Sequence, residues 1–381
     1  MRIAINGILL SRCVSGVETA IANLARALAQ GGREEYLLYL PHNAPLEELA
    51  SPHFQTRRCH LPGRARPLRM AWEQFVLPRL LRRDRVDLLH APGYLAPLRA
   101  GVPVVITVYD LIALLFPRLC TLSNTLNYRC QLPGSIRRAA GIIVPSETTR
   151  RDLVTLFPAA ADKVRVIPLG IGREFTAGAD PARGEELRGR YALPDRFILF
   201  VGQLEPKKNI AGLVRGFAAL RAGGHRQHRL VIAGSHGWGC AEFERAVRQF
   251  GLEQEVIFPG FIPAVELPAL YRLADLFVFP SLYEGFGLPP LEAMACGVPA
   301  VVSNRGSLPE IVSDAALQVE PLDADALARA MRNLLTQDEL RRTQVQKGLA
   351  RARMFTWERT ARMTEEFCQR VFAEALRGQR R

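Results

Sequence analysis

Short apolar runs alternate along the chain with segments of helical period. The first series of runs is Ile3–Asn6, Tyr36–Leu40, Asp87–His90, Val104–Val108, Gly141–Val144 and Val164–Ile167. The second is Phe197–Val201, Arg229–Ala233, Val256–Phe258, Leu276–Phe279, Ala300–Ser303 and Ala316–Val319. Between them lie helix-period stretches such as Val17–Leu28, Ile210–Leu220, Ala241–Phe250 and Ala324–Leu335. Uninterrupted apolar runs suit strands buried on both faces, and their alternation with helices predicts parallel, doubly wound α/β sheets. Two series predict two such domains, residues 1–170 and 194–356. The Gly-, Pro- and charge-bearing stretch 171–193 reads as a linker. Ligands of open α/β sheets bind at the carboxyl ends of the strands, so two facing sheets would offer an interdomain cleft.

Leu276–Asn304 is the most informative stretch. A buried strand runs into a loop with glycines at Gly285 and Gly287, which also holds Glu284, Phe286 and Leu288; Pro289 and Pro290 then open a helix that ends near Gly297. A helix N-terminus favours anions through its free N–H groups and dipole. Glu284 and Glu292 would repel a phosphate, so they are expected to face hydroxyl groups. A ligand with both phosphates and hydroxyls is a nucleotide or a nucleotide sugar.

Other loops fall on the same strand edges. Phe197–Val201 leads into Gly202-Gln203-Leu204-Glu205-Pro206-Lys207-Lys208-Asn209. The chain has only four lysines among its 50 basic residues, and two of them are adjacent here. A compact ammonium suits phosphate oxygens. Gly234 opens another Gly-rich loop, and Gly260 and Phe261 follow a further strand, where backbone groups can read a base edge. In the first domain the Gly7–Glu18 loop carries Gly16, either a close-approach position or a plain turn. Tyr109 and Asp110 end a strand, as substrate contacts or as a capped strand end. His90 ends another. Pro67–Leu81 reads either as an amphipathic surface helix touching a membrane or as a helix packed on its domain. Asp323-x-Asp325 imitates a metal-binding pair, but its setting fits an N-cap and an acidic first turn.

Composition narrows the class. With 48% hydrophobic residues the chain is an ordinary globular protein. It has no spanning apolar run, its start at Ile3-Ala4-Ile5 reads as a strand and not as a signal peptide, and seven cysteines without a C-x-x-C pair read as reduced thiols, as expected of a cytoplasmic protein. Net charge is +13, and residues 1–170 hold 22 Lys/Arg against 12 Asp/Glu, or +10. Nine arginines fall within Arg57–Arg85. No nucleic-acid-binding motif accompanies them. A basic first half is expected to face an anionic membrane surface or simply water.

The Glu284-x7-Glu292 block, with Gly-Gln-Leu-Glu-Pro-Lys-Lys-Asn upstream, resembles the retaining glycosyltransferases of family 4. The likeness extends over Trp72-Glu73-Gln74, Val108-Tyr109-Asp110-Leu111, Val144-Pro145-Ser146, Ile167-Pro168-Leu169-Gly170 and Gly306-Ser307-Leu308-Pro309-Glu310. It implies the GT-B fold, two facing Rossmann-like domains with an interdomain cleft, and a C-terminal helix at about 357–381 that packs back on the first domain. The N-terminal half is similar to mannosyl- and D-rhamnosyltransferases of bacterial O-antigen and Pseudomonas-type common polysaccharide antigen assembly. By this resemblance the substrates are a nucleotide sugar, with GDP as the expected base, and a lipid-linked glycan. The work would be done without a metal, at the cytoplasmic face of the inner membrane.

The resemblance also implies roles. Glu292 would bind ribose hydroxyls and Glu284 the donor sugar. Backbone N–H groups at Phe286, Gly287 and Leu288 would hold the diphosphate. Lys208 would neutralise phosphate charge, Gly260 and Phe261 would sit by the base, and Gly16 would approach phosphates or acceptor. Two positions depart from the family pattern: Gln203 stands where an Arg is common, and Tyr109 where a His is common. A UDP-sugar enzyme, or a GT-B epimerase or phosphorylase, would use the same architecture. A phosphorylase calls for a further cofactor lysine or arginine set, and a non-catalytic binding subunit would lose the acidic pair.

Overall fold

Seven strands build the first sheet: β1 (Arg2–Asn6), β2 (Glu35–Pro41), β3 (Phe54–Cys59), β4 (Leu88–Ala91), β5 (Val104–Thr107), β6 (Gly141–Val144) and β7 (Val164–Val166). They lie in the order β3-β2-β1-β4-β5-β6-β7, with every pairing parallel. The computed structural model describes the chain except residues 11–14, 47, 48, 50, 61–65, 179, 380 and 381. Cys13 and part of the Gly7–Glu18 loop therefore lie outside the described residues. Six strands coincide with the apolar runs. β3 is the addition: its sequence, Phe-Gln-Thr-Arg-Arg-Cys, buries only its two ends. It pairs with β2 alone at the sheet edge, where one side is wet and no continuous apolar run is needed.

The second sheet comprises β8 (Phe197–Val201), β9 (Arg229–Ala233), β10 (Val256–Gly260), β11 (Leu276–Phe279), β12 (Ala300–Ser303) and β13 (Leu317–Val319), in the order β10-β9-β8-β11-β12-β13. It too is parallel throughout. Phe197, Phe200, Phe217, Phe277 and Phe279 fill its core and are fully buried. The strand order changes direction between β1 and β4 in one sheet and between β8 and β11 in the other. These are the points where an α/β sheet opens a crevice at its carboxyl edge.

The chain divides into two compact units. The first holds residues 1–115, 122–170 and 355–381, and the second holds residues 116–121 and 171–354. The C-terminal helix Trp357–Gln379 belongs to the first unit. Its Glu365 accepts hydrogen bonds from the Tyr36 hydroxyl and, at 2.8 Å, from the Arg33 N–H. Thr360 Oγ1 donates to the Pro168 carbonyl at 2.8 Å.

Two segments differ from a plain reading of composition. Residues 171–193 carry a helix, Pro181–Tyr191, capped by Asp180. Its Arg183, Arg190 and Tyr191 converge on the buried Glu266, with the Tyr191 hydroxyl 2.6 Å from Oε2. The charges that suggest a solvated linker dock this helix on the second unit. Pro67–Leu81 is broken into a helix Arg66–Ala71, a π-helical turn Trp72–Val76 and a helix Leu77–Arg83. Pro78 has no N–H to give to the preceding turn, a sufficient cause for the widened winding. Trp72, Leu77 and Leu81 enter the core, while Leu68 and Phe75 stay exposed.

Candidate active site

The carboxyl edge of the second sheet gathers the loops after β8, β9, β10 and β11. The Gly202 N–H donates to the Ala233 carbonyl at 2.9 Å, and the Gly234 N–H to the Gly260 carbonyl at 2.8 Å. Gly234 is obligatory here, because a Cβ at that position would lie 1.9 Å from the Gly202 oxygen. The loop after β8 contains a 3₁₀ turn, Pro206–Lys208, followed by Asn209 in the left-handed region. The Asn209 amide donates to the carbonyls of Pro280 and Pro321, at 3.3 and 2.7 Å. Those bonds tie the lysine loop to the segments after β11 and β13 and fix where Lys208 projects.

Lys208 and Glu284, 76 residues apart, meet at 2.6 Å between Nζ and Oε1. Their side chains are 12% and 11% exposed, so the pair is largely shielded from water. The Lys208 ammonium also lies 4.7 Å from the centre of the Phe279 ring. Burial pushes the Glu284 carboxyl up, but Lys208 and Lys207 outweigh it and hold the group below the usual carboxylate range. Glu284 is thus an ionised hydrogen-bond acceptor beside a fixed cation.

The backbone of Glu284 is clamped. Ser307 Oγ donates to the Glu284 and Phe286 carbonyls at 3.0 and 2.7 Å, and the Ser307 N–H to the Glu284 carbonyl at 3.1 Å. Gly306 has φ +62°, and a Cβ on it would sit 2.8 Å from the Glu284 oxygen. Gly285, Phe286 and Gly287 are buried, and Gly287 caps the helix Leu288–Ala295. Glu292, on that helix, accepts the Tyr271 hydroxyl at 2.8 Å. Burial pushes the Glu292 carboxyl up to about 7, the Tyr271 bond pulls it down, and the charge of Glu174 adds to the rise. The two glutamates therefore differ in character: Glu284 is ionised, and Glu292 titrates near neutrality. Gln203 and Phe261 are exposed on the same edge.

In the first unit, Gly16 begins the helix Gly16–Gly31, behind a capping box formed by Ser15 and Glu18. A Cβ on Gly16 would meet nothing within 4 Å among the described residues. Asp110 Oδ1 accepts the Ile112 N–H at 3.2 Å and so starts a short helix, Ile112–Leu115. Tyr109 is half-buried, edge-on to Tyr94 at 5.6 Å, and Tyr94 in turn meets Tyr128 at 5.1 Å. Burial pushes the Tyr109 phenol well above its ordinary value. His90 is fully enclosed and shares a 2.9 Å hydrogen bond with Thr107; burial lowers it to about 4, so it stays neutral. Asp323 caps the helix Ala324–Thr336, its Oδ1 accepting the Ala326 N–H at 2.8 Å.

The second unit thus sets Lys208 on Glu284 at the edge that carries the glycine loops, and holds Glu292 on Tyr271 in the helix that follows. Tyr271, Phe279, Asn209 and Ser307 support these residues, roles that the sequence does not assign to them. Nothing local marks Tyr271 or Phe279 apart from other core aromatics. Ser307 and Gly306 stand in a block that resembles the family, but their clamp on Glu284 appears only in three dimensions.

A family model described as glycosyl transferases group 1 matches residues 185–351, and one described as glycosyltransferase family 4 matches residues 14–175. The O-antigen chain mannosyltransferase B of Escherichia coli is 32% identical over 299 residues, spanning 78% of this chain and 76% of that protein. Sucrose-phosphate synthase from Thermosynechococcus elongatus shares the fold with a TM-score of 0.76 at 23% identity, over 98% of this chain and 100% of that one. The Anabaena protein Alr3699/HepE, solved in complex with UDP-glucose, superposes with a TM-score of 0.72 at 20% identity, over 99% of this chain and 100% of that one. Two Rossmann-like parallel-sheet units, the glycine-lined edge with its Lys208–Glu284 pair and this match over most of the chain agree: the protein is a glycosyltransferase of family 4 with the GT-B fold.

Proposed function

We propose that the enzyme moves a hexose, D-mannose or D-rhamnose, from a GDP-sugar to a lipid-linked polysaccharide precursor of the lipopolysaccharide O-antigen. The Lys208–Glu284 contact at 2.6 Å carries this reading, because it sets a cation and an ionised hydroxyl acceptor side by side at the sheet edge. The similarity to an O-antigen chain mannosyltransferase supports the sugar and the pathway. In this reading Glu292 accepts ribose hydroxyls, Glu284 accepts a donor-sugar hydroxyl, and the start of the helix Leu288–Ala295 receives the diphosphate. Lys208 offsets charge on the departing phosphate. Phe261 and Gly260 flank the base, and Gly16 meets a phosphate or the acceptor. No metal is required, since lysine and helix N-terminus together supply the positive charge.

Transfer proceeds with retention of the anomeric configuration. The anomeric C–O bond to the diphosphate breaks through a loose, oxocarbenium-like transition state, and GDP departs. The acceptor hydroxyl attacks from the same face, forms the new glycosidic bond, and gives its proton to a phosphate oxygen of the leaving group. The protein contributes positioning and charge stabilisation rather than a covalent nucleophile. The enzyme works at the cytoplasmic face of the inner membrane, where a lipid-linked acceptor resides.

Incubation with GDP-mannose or GDP-D-rhamnose and a lipid-linked O-antigen primer tests this. An α-linked product from an α-configured donor, formed equally well in EDTA, is expected. An inverted linkage, or transfer from UDP-sugars alone, would overturn the retaining or the GDP assignment respectively.

A further inference from the structure

Three neighbouring elements of the first unit present an apolar and basic surface that the donor site does not use. They are the Arg66–Arg83 helical segment, the loop at Leu98 and the helix Leu122–Arg138. Arg66 donates to Asn124 Oδ1 at 2.6 Å, and the Gln131 amide to Met70 Sδ at 3.4 Å. The Leu98 N–H donates to Gln74 Oε1 at 2.8 Å, and Arg138 Nε to the Leu98 carbonyl at 3.2 Å. The inner faces bury Trp72, Leu77, Leu81, Leu132 and Ile136. Outside, Phe75 is 61% exposed, Leu98 53%, Leu122 73% and Leu126 52%, with Leu68 at 42%. Large side chains left exposed together on connected elements mark a contact surface.

The order along each helix adds direction. Leu68 and Phe75 are seven residues apart, and the same stripe continues into exposed Arg79, Arg82 and Arg83. Leu122 and Leu126 are four apart, and theirs continues into exposed Arg129 and Arg137. The contacts of residue 66 with 124 and of residue 70 with 131 run the two stripes the same way. Leu68 therefore lies beside Leu122 and Leu126, and the Leu98 bonds bring Gln74, next to Phe75, toward Arg138, so apolar and basic groups interleave across the face. Over residues 66–83, 96–115 and 122–138 of the first unit there are nine arginines and two carboxylates, Glu73 and Asp110. Glu73 is buried on Asn6 at 2.9 Å, and Asp110 is committed to the turn at Ile112.

We propose that this face lies on an anionic lipid bilayer, with Phe75, Leu122 and Leu126 in the headgroup–acyl boundary and the arginines on lipid phosphates. The charge pattern selects this occupant. A second copy would bring the same positive surface and no exposed carboxylate to meet it, so self-pairing repels. Single-stranded nucleic acid calls for stacking aromatics, and here the apolar groups are leucines with one phenylalanine. The inference rests on the lipid-linked acceptor proposed above, since a membrane-embedded acceptor needs its enzyme held at the surface.

Vesicle flotation of the full chain tests it. Phosphatidylglycerol vesicles should carry the protein, and phosphatidylcholine vesicles or high salt should release it. The double variants Leu122→Ser/Leu126→Ser and Arg79→Glu/Arg129→Glu should each bind at least ~10-fold more weakly. Val265→Ser, at an 81% exposed position of the second unit, should bind as wild type does. Unchanged melting temperatures and unchanged stabilisation by GDP-sugar would show that the variants are folded. No binding by wild type, equal binding by the variants, or self-association abolished by the same substitutions would each overturn the proposal. Vesicle binding without any response to nucleotide sugars would instead sink the donor reading and leave the surface standing.

Discussion

The Tyr271 hydroxyl donates to Glu292 Oε2 at 2.8 Å, and burial still pushes this carboxyl up to about 7. The usual value is 4.5, so the folded state holds the proton more tightly than the unfolded chain. The folded protein then bears no penalty below pH 4.5 and loses stability as pH rises to about 7. The loss approaches about 3 kcal/mol. Glu292→Gln should melt at a higher temperature than wild type at pH 8, with the difference vanishing below pH 4.5, and should bind nucleotide sugar less tightly. Equal melting curves across this range would contradict the burial cost assigned to Glu292.

Lys208 and Glu284 should behave as a coupled pair. Removing the cation leaves a shielded carboxylate without its partner, so Lys208→Ala should lower stability by about 3–5 kcal/mol. It should also lower kcat by ~10²–10³-fold, the range for losing one preorganised charge-stabilising group. The double variant Lys208→Met/Glu284→Gln should recover much of the stability and stay inactive. Recovery of turnover in that variant would separate the pair from catalysis.

His90 is predicted to set part of the acid limit of stability. Its usual value of 6.5 falls to about 4 in the fold, so the folded state prefers the neutral ring. That contribution is complete above pH 6.5 and is lost as pH falls to about 4, approaching about 3 kcal/mol. His90→Gln should flatten this limb in acid-unfolding curves without moving the pH dependence of turnover.

Gly16 separates a ligand role from a fold role. Its surroundings leave room for a Cβ, so Gly16→Ala should leave the melting temperature unchanged. If Gly16 meets the donor or acceptor backbone-on, turnover should fall, by up to ~10²-fold for a displaced substrate. Normal turnover would return Gly16 to the role of an ordinary helix start.

The sheet strands were legible where burial on both faces forces continuous apolar runs, as in Val104–Thr107 and Leu276–Phe279. β3 was not, because an edge strand need not be apolar throughout. The helix Pro181–Tyr191 was hidden by its arginines, which look solvated until Glu266 gathers them. At the site, Lys208, Glu284 and Glu292 stood out through rarity and spacing. The contact between Lys208 and Glu284, the Tyr271 partner of Glu292 and the Ser307 clamp depend on pairings across 76, 21 and 23 residues, which no local pattern encodes.

The most direct test of the donor site is thermal stabilisation by a panel of GDP-, UDP- and dTDP-sugars. A shift with GDP-mannose or GDP-D-rhamnose that is lost in Lys208→Met/Glu284→Gln is predicted. No shift with any nucleotide sugar, or an undiminished shift in that variant, would contradict a donor held by Lys208, Glu284 and Glu292.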